Sequence, residues 1–385
     1  MMDSDWIALS EADVDERESQ LLAHVLQSGR LSSGPMVEAF ESVFADFHER
    51  KYAIAVSSGM TGSWLALRAL GIGPGDEVIA SAYSWHHIAH AIVHVGATPV
   101  FADIDYWSGS IAPKSVEERI TPKTRAIIAA NCNGHPAAWK ELREIATRHG
   151  LRLIEDSTEA IASRYGEDLV GSFGDMSIFD LSQPLAVSCG EGGMVLTDDA
   201  DLASELRYLR SHSLGDRMSV SVGSRVPMQA CMSDLAAAVG IAQMERIYEI
   251  LARRKKVETW YHEVMQTFEG IKPPYIADEV TEVHWMLYVV HLGKRFTASA
   301  REKLIEDLDD EAIEVAAYSR PLHQQFHYTH YGYRKGVGGL SNTERIADRS
   351  LALPFHGFID EDEVRFVVGT LKDAATNVGA GVPIY

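Results

Sequence analysis

The sequence predicts an α/β protein, with a large domain on a mainly parallel seven-stranded sheet and a smaller C-terminal α/β domain. Three observations carry that prediction. Short apolar runs alternate with helical patterns through the first two-thirds of the chain, the arrangement that lays parallel strands side by side under helices. A chain of 385 residues is long for one hydrophobic core. After roughly Met232 a long helical run replaces the alternation, which places the domain boundary between residues 1–245 and 246–385.

Taken in order, YAIAV (52–56) is an apolar run of strand length, followed by the turn SSGM and the helix TGSWLALRAL. DEVIA (76–80) is the second strand, and a helix starts from about Trp85. TPVFADID (98–105) and RAIIAANC (125–132) are the third and fourth. AAWKELREIATRHG (137–150) has helical period and ends on a capping glycine. LRLIEDS (151–157), DMSIFDL (175–181) and GMVLTDD (193–199) complete the seven. SDLAAAVGIAQMERIYEILARRKKVETWYHEVMQTF then reads as one helical bridge. The smaller domain supplies the strand WMLYVVHL, a helix near ASAREKLIEDL and a last helix at IDEDEVRFVVGTLKDA.

Composition narrows the function classes. Hydrophobic content of 46% and charged content of 23% are ordinary for a globular protein. A formal charge of −20 argues against nucleic-acid partners and anionic membrane surfaces, which need clustered Lys and Arg. Cys132, Cys189 and Cys231 form no CxxC and no zinc spacing, so neither disulfides nor a structural metal is expected, in keeping with a reducing cytoplasm. The acidic N-terminus is not a signal peptide, and no apolar stretch has membrane-span length.

Ligands of open α/β sheets bind beyond the carboxyl ends of the strands. Three features fall there: the turn SSGMTGS, whose free N–H groups and helix dipole favour an anion; Asp156, ending a very apolar strand; and the tight GEGG turn at Gly190–Gly193. Asp156 reads equally as a helix cap. His86, His90 and His94 fall at i,i+4 spacing on a helix, a pattern that can share a metal but more often marks partly buried surface groups; no metal is expected.

These blocks, in this order, resemble the DegT/DnrJ/StrS family of sugar aminotransferases, which has the aspartate-aminotransferase fold (PLP fold type I). KYAIAVSSGMTGSWLALRALGIGPGDEVIASAYSW, HVGATPVFADID, LIEDSTEAIASRYGEDLVGSFGDMSIFDL, GEGGMVLTDD, MSDLAAAVGIAQM, PLHQQFHYTHYGY and RIADRSLALPFHGFIDEDEV carry the resemblance over nearly the whole chain. It implies pyridoxal phosphate held by a Schiff-base lysine, an aspartate on the ring nitrogen, an aromatic on the ring face, and a turn with a hydroxyl for the phosphate. It also implies nucleotide-linked keto sugars as substrates and dimers with shared sites.

Several positions depart from that pattern. Counting back from Gly190-Glu191-Gly192-Gly193, the lysine position is Leu185, and Gln183, Pro184, Ala186 and Val187 offer no amine either. Keto-sugar 3-dehydratases of the family carry histidine there and use pyridoxamine phosphate; leucine lacks that base too. The phosphate-binding serine is replaced by Asp180, and a carboxylate facing a phosphate dianion is repulsive. Met60 stands where threonine is usual, with Thr61 next to it, and the asparagine that reaches the neighbouring subunit's site is Gln229. Asp156 keeps the ring-nitrogen position and Trp85 the stacking position, though Trp85 also reads as a core aromatic; Glu159 replaces a glutamine or histidine.

The residues thus define a vestigial pocket of Gly59, Met60, Thr61, Trp85, Ser182, Leu185 and Gln229, from which no cofactor is expected. Asp156, Glu159, Asp180 and His86 are the expected acid–base residues, with His87 also flanking the carboxylates, because crowded carboxylates push one pKa upward; the alternatives are that the cluster binds a divalent metal or that some of its members pair with Arg. The leading expectation is a cytoplasmic, PLP-independent enzyme acting on a small sugar-like or amine-bearing substrate, as a homodimer. Two alternatives stand beside it: a non-catalytic partner in a heterodimer with an active paralogue, and an enzyme binding PLP or PMP non-covalently.

Overall fold

The computed structural model describes residues 6–182, 185–211, 226–266, 268–330 and 339–378. Gln183, Pro184 and the Tyr331–Tyr333 end of the His- and Tyr-rich segment lie outside the described residues. In chain order the helices are α1 (Glu16–Ser28), α2 (Pro35–Phe47), α3 (Gly59–Ala69), α4 (His86–His94), α5 (Pro113–Glu117) and α6 (Trp139–His149). They continue with α7 (Ala200–Arg210), α8 (Asp234–Glu245), α9 (Ile247–Met265), α10 (Ala298–Asp309), α11 (Ser341–Ala347) and α12 (Glu361–Asn377). No helix among the described residues is long and apolar enough to cross a membrane.

All seven strands read from the sequence lie in one sheet. They are β1 (Tyr52–Val56), β2 (Glu77–Ser81), β3 (Thr98–Ala102), β4 (Thr124–Ala130), β5 (Arg152–Asp156), β8 (Met176–Asp180) and β9 (Gly193–Thr197), with two short strands, β6 (Arg164–Tyr165) and β7 (Asp168–Leu169), between them in the chain. Their spatial order is β1-β9-β8-β5-β4-β2-β3. Pairs β5/β8, β4/β5, β2/β4 and β2/β3 are parallel, and β9 runs antiparallel to both its neighbours. β1 therefore points the same way as β8, and the turn into α3 opens at the edge where β5 and β8 end. Alternation explains the continuous apolar runs: Ile54 and Val56 of β1 face one core, Ala53 and Ala55 the other.

The last third forms a second sheet from β10 (Ile271–Lys272), β12 (Tyr288–Leu292) and β13 (Ser350–Leu353), covered by α9, α10 and α12. A third sheet joins β11 (Val280–Glu282) to β6 and β7, strands too short to leave a periodic signal in the sequence. The helical bridge read as one run breaks at Arg246, between α8 and α9. There the Arg246 guanidinium turns to the N-terminal segment, donating to the Asp13 carbonyl at 2.9 Å and to the Glu18 carboxylate at 3.2 Å.

One contact at the carboxyl edge is governed by a missing side chain. Gly193 of β9 lies opposite Val56 on one side and Asp180 on the other. A Cβ on Gly193 would sit 2.5 Å from the Ser58 carbonyl carbon and 2.6 Å from the Gly59 nitrogen, both backbone atoms. Only glycine lets the start of α3 approach β9 here. Gly193→Ala is expected to cost about 1–3 kcal/mol, as overpacking against atoms that cannot rotate away does. Urea unfolding measures it, and unchanged stability contradicts the account.

Candidate functional site

The carboxyl ends of β2, β4 and β5 open onto a narrow cleft lined by Tyr83, Ser84, Trp85, Ala130, Asn131, Cys132, Asp156, Glu159 and Tyr318. Among the described residues no lysine lines it. Four carboxylates belong to this edge, and each is satisfied differently.

Glu155, fully buried, accepts from six donors: the Asn131 amide, the Ser157 and Ser177 hydroxyls, and the backbone N–H groups of Gly171, Phe173 and Gly174. It holds the loop after β5 and is structural. Asp156 lies 3.0 Å from His87 Nε2, both side chains being buried. Burial opposes the charge on each, but the contact prevails: the Asp156 carboxyl is held below its ordinary value and the His87 imidazole above it. The Thr158 N–H adds a hydrogen bond to Asp156 at 3.1 Å.

Among the described residues Glu159 has no cationic partner at bonding distance. Its Oε2 accepts from the Asn133 N–H and the Tyr318 hydroxyl, while its buried Oε1 has no partner among the described residues. Burial raises its carboxyl to about 7, the two hydrogen bonds opposing the rise and the Asp156 charge adding to it. The proton belongs on Oε1, because Oε2 is already occupied by two donors. Tyr318 is itself held protonated by burial, and the Cys132 thiol, likewise raised by burial, lies 3.4 Å from the Tyr318 oxygen. Asn133 is fixed from the second sheet: its side chain donates to the Leu287 carbonyl at 3.1 Å and accepts from the Leu287 N–H at 3.0 Å.

Asp180 is not among the cleft's lining residues. Its Oδ2 accepts from the Gly59 N–H, the first residue of α3, at 2.7 Å. Its Oδ1 accepts from the Ser182 N–H at 2.8 Å and from the Ser182 hydroxyl. Thr61, next to Met60, bonds the Ser58 hydroxyl at 2.9 Å.

The sequence therefore located Asp156 and Glu159 together but misjudged two neighbours. Asp180 lies off the cleft lining, near enough for its charge to reach His87, and its carboxylate is spent on the first N–H of α3 and on Ser182. His86 is exposed, with its ring 4.8 Å from that of His90, and it is His87 that meets Asp156, because the helical phase of α4 turns that residue inward. Gln229 is exposed. Leu185 is buried in an apolar cluster with Met286, Leu287, Val289 and Ala352. Among the described residues no group of three His, Cys, Asp or Glu is arranged to hold a metal ion. Tyr318 and Asn133 escaped the sequence reading; no motif ties them to Glu159, 159 and 26 positions away.

This sheet order, with its cleft at the carboxyl edge, defines a protein of the PLP fold type I aminotransferase class. The chain belongs to the DegT/DnrJ/EryC1/StrS aminotransferase family, whose pattern matches residues 12–372. It is 33% identical over 371 residues to the spore coat polysaccharide biosynthesis protein SpsC of Bacillus subtilis, covering 94% of this chain and 95% of that protein. It is 33% identical over 373 residues to the GDP-perosamine synthase of Caulobacter vibrioides, covering 96% and 99%. Among solved structures, DesI in the presence of its TDP-sugar product matches with a TM-score of 0.89 and 30% identity, over 98% of this chain and 94% of that one.

Membership corrects one expectation. The family and its structural neighbours are PLP-dependent sugar aminotransferases, so the expectation that no cofactor is used is overturned. Of the residues present, Asp156 suits the ring end of such a group, being buried and ionised beside the cleft. The phosphate end does not fit: the N–H that would meet a phosphate already holds the Asp180 carboxylate.

The protonation of Glu159 has a measurable consequence. Its folded pKa lies above the model-peptide value, so its contribution to stability is complete below about pH 4.5 and is lost as pH rises through about 7. Glu159→Gln keeps the acceptor for Asn133 and Tyr318 and has no proton to lose. It is expected to match wild type near pH 5 and to exceed it above pH 7 by up to about 3 kcal/mol, read from melting temperatures. A constant difference across that range contradicts this assignment.

Proposed function

We propose that this chain acts on a nucleotide-linked keto sugar, with Glu159 as the acid–base group. The observation that carries the reading is the buried, unpartnered Oε1 of Glu159 on the cleft wall. With its pKa near neutrality, ionised Oε1 takes a proton from the carbon beside the carbonyl of the bound sugar and then returns a proton to that carbon, while Tyr318 and Asn133 fix the carboxyl plane. Asp156 and His87 form a charged pair beside it that orients rather than exchanges protons. The substrate class is supported by the GDP-perosamine synthase and DesI likenesses.

In the same reading Leu185 stands in place of the anchoring lysine, and a pyridoxal-type ring is held beside Asp156 without a covalent bond to the chain. The support is the position of Leu185 before Gly190-Glu191-Gly192-Gly193 and its burial among hydrocarbon side chains. The observation at Leu185 also favours a second reading, a non-catalytic subunit completing the site of a lysine-bearing paralogue.

The test is solvent deuterium exchange into a TDP- or GDP-linked 4-keto sugar, followed by NMR with the protein alone. Wild type is expected to catalyse exchange, and Glu159→Gln to slow it by about 10²-fold or more without weakening sugar binding. Equal rates in the two proteins overturn the role of Glu159. Exchange only after mixing with a paralogue selects the second reading.

A further inference from the structure

The start of α3 is an anion seat by construction: an eleven-residue helix begins at Gly59, directly beyond the carboxyl end of β1. In this chain an anion is already in it. The Asp180 carboxylate reaches the Gly59 N–H at 2.7 Å, and its other oxygen is engaged by Ser182. The fit leaves no gap, since a Cβ on Gly59 would sit 2.6 Å from the Asp180 Cβ and 2.9 Å from its Oδ2. Gly193 permits the approach by carrying no side chain between them. No Lys or Arg forms an ion pair with Asp180 among the described residues; the helix terminus and Ser182 hold its charge at hydrogen-bond distance, with His87 acting on it from further off. The other charged end of the cleft is likewise met from within the chain, by His87 against Asp156.

We propose that Asp180 is a tethered occupant of the α3 anion seat and makes this protein discriminate against ligands that must place a phosphate in that seat. A phosphoryl group and the Asp180 carboxylate compete for the same N–H, and their like charges forbid joint occupancy of so small a space. A ligand that seats a phosphoryl group at the start of α3 therefore binds only after Asp180 swings out, giving up three hydrogen bonds. A ligand with the same ring and a neutral hydroxymethyl arm bears no such cost. Asp180 is thus a specificity residue that inverts the preference expected of an open helix terminus. The inference rests on the proposed function only for the pyridoxal-type ring; the competition for phosphate is independent of it.

The experiment compares wild type, Asp180→Asn and Asp180→Ser. Asparagine keeps the acceptor to Gly59 and controls for folding; serine both removes the charge and opens the space. Binding of pyridoxal and of pyridoxal 5′-phosphate is followed by absorbance titration, and the melting temperature is followed against inorganic phosphate. Asp180→Ser is expected to bind the phosphate ester about tenfold or more tightly than wild type does, with pyridoxal unchanged within about twofold. Inorganic phosphate is expected to raise the melting temperature of Asp180→Ser and not that of wild type, with Asp180→Asn between them. If wild type and Asp180→Ser respond alike to phosphate in both assays, the inference is overturned. Should neither ring compound bind any form while the phosphate response still differs, Asp180 stands as the occupant and the proposed cofactor seat falls instead.

Discussion

Among the described residues, the carboxyl edge of the main sheet gathers four carboxylates and no lysine, and the arrangement around the cleft follows from how each negative charge is accommodated there. Charge removed from water must be hydrogen-bonded, paired or neutralised. Glu155 takes the first course with six donors, Asp156 the second with His87, Glu159 the third by keeping its proton. Asp180 uses the dipole and free N–H of α3. These four solutions share a few supports. Asn131, which donates to Glu155, also accepts from Ala137 and Trp139, tying the end of β4 to the start of α6. Asn133, next in that loop, carries Glu159 and is clamped by Leu287 of the second part of the chain.

That clamp makes the cleft a joint product of both parts. Tyr318, from beyond α10, completes the Glu159 carboxyl and packs with Leu185 against Val289 and Ala352. A hydrocarbon at Leu185 is comfortable there because its neighbours are hydrocarbon. An ammonium in the same cluster would be desolvated without a partner, so the apolar side chain and the apolar surroundings are mutually consistent. The same packing brings Tyr318 to the cleft wall, which is how a residue far along the chain comes to temper the burial-driven rise of a carboxyl near its middle.

Much of the fold was legible in the sequence because its signals are local. All seven strands of the main sheet follow from apolar runs of strand length, and Gly150 ends α6 in the left-handed conformation its position implies. Asp156 was legible because it ends an apolar strand in a parallel sheet, and Glu159 because it stands three positions on, where the resemblance puts a glutamine or histidine. What was not legible depends on direction and distance. Whether His86 or His87 faces Asp156 is a matter of helical phase, and neighbouring letters do not give it. Asp180 goes to α3 rather than to the cleft lining because Gly193 lies beside it across the β8–β9 pairing, a relation of register. The break at Arg246 arises from acidic residues over two hundred positions earlier.

The central claim is that this family member accommodates the charges of its cleft without a lysine at the position of Leu185. Incubating the purified protein with pyridoxal 5′-phosphate, reducing with borohydride and mapping peptides by mass tests it most directly. The account predicts no lysine of the folded wild-type protein carrying the pyridoxyl group at stoichiometric yield. A single lysine labelled to completion would contradict it.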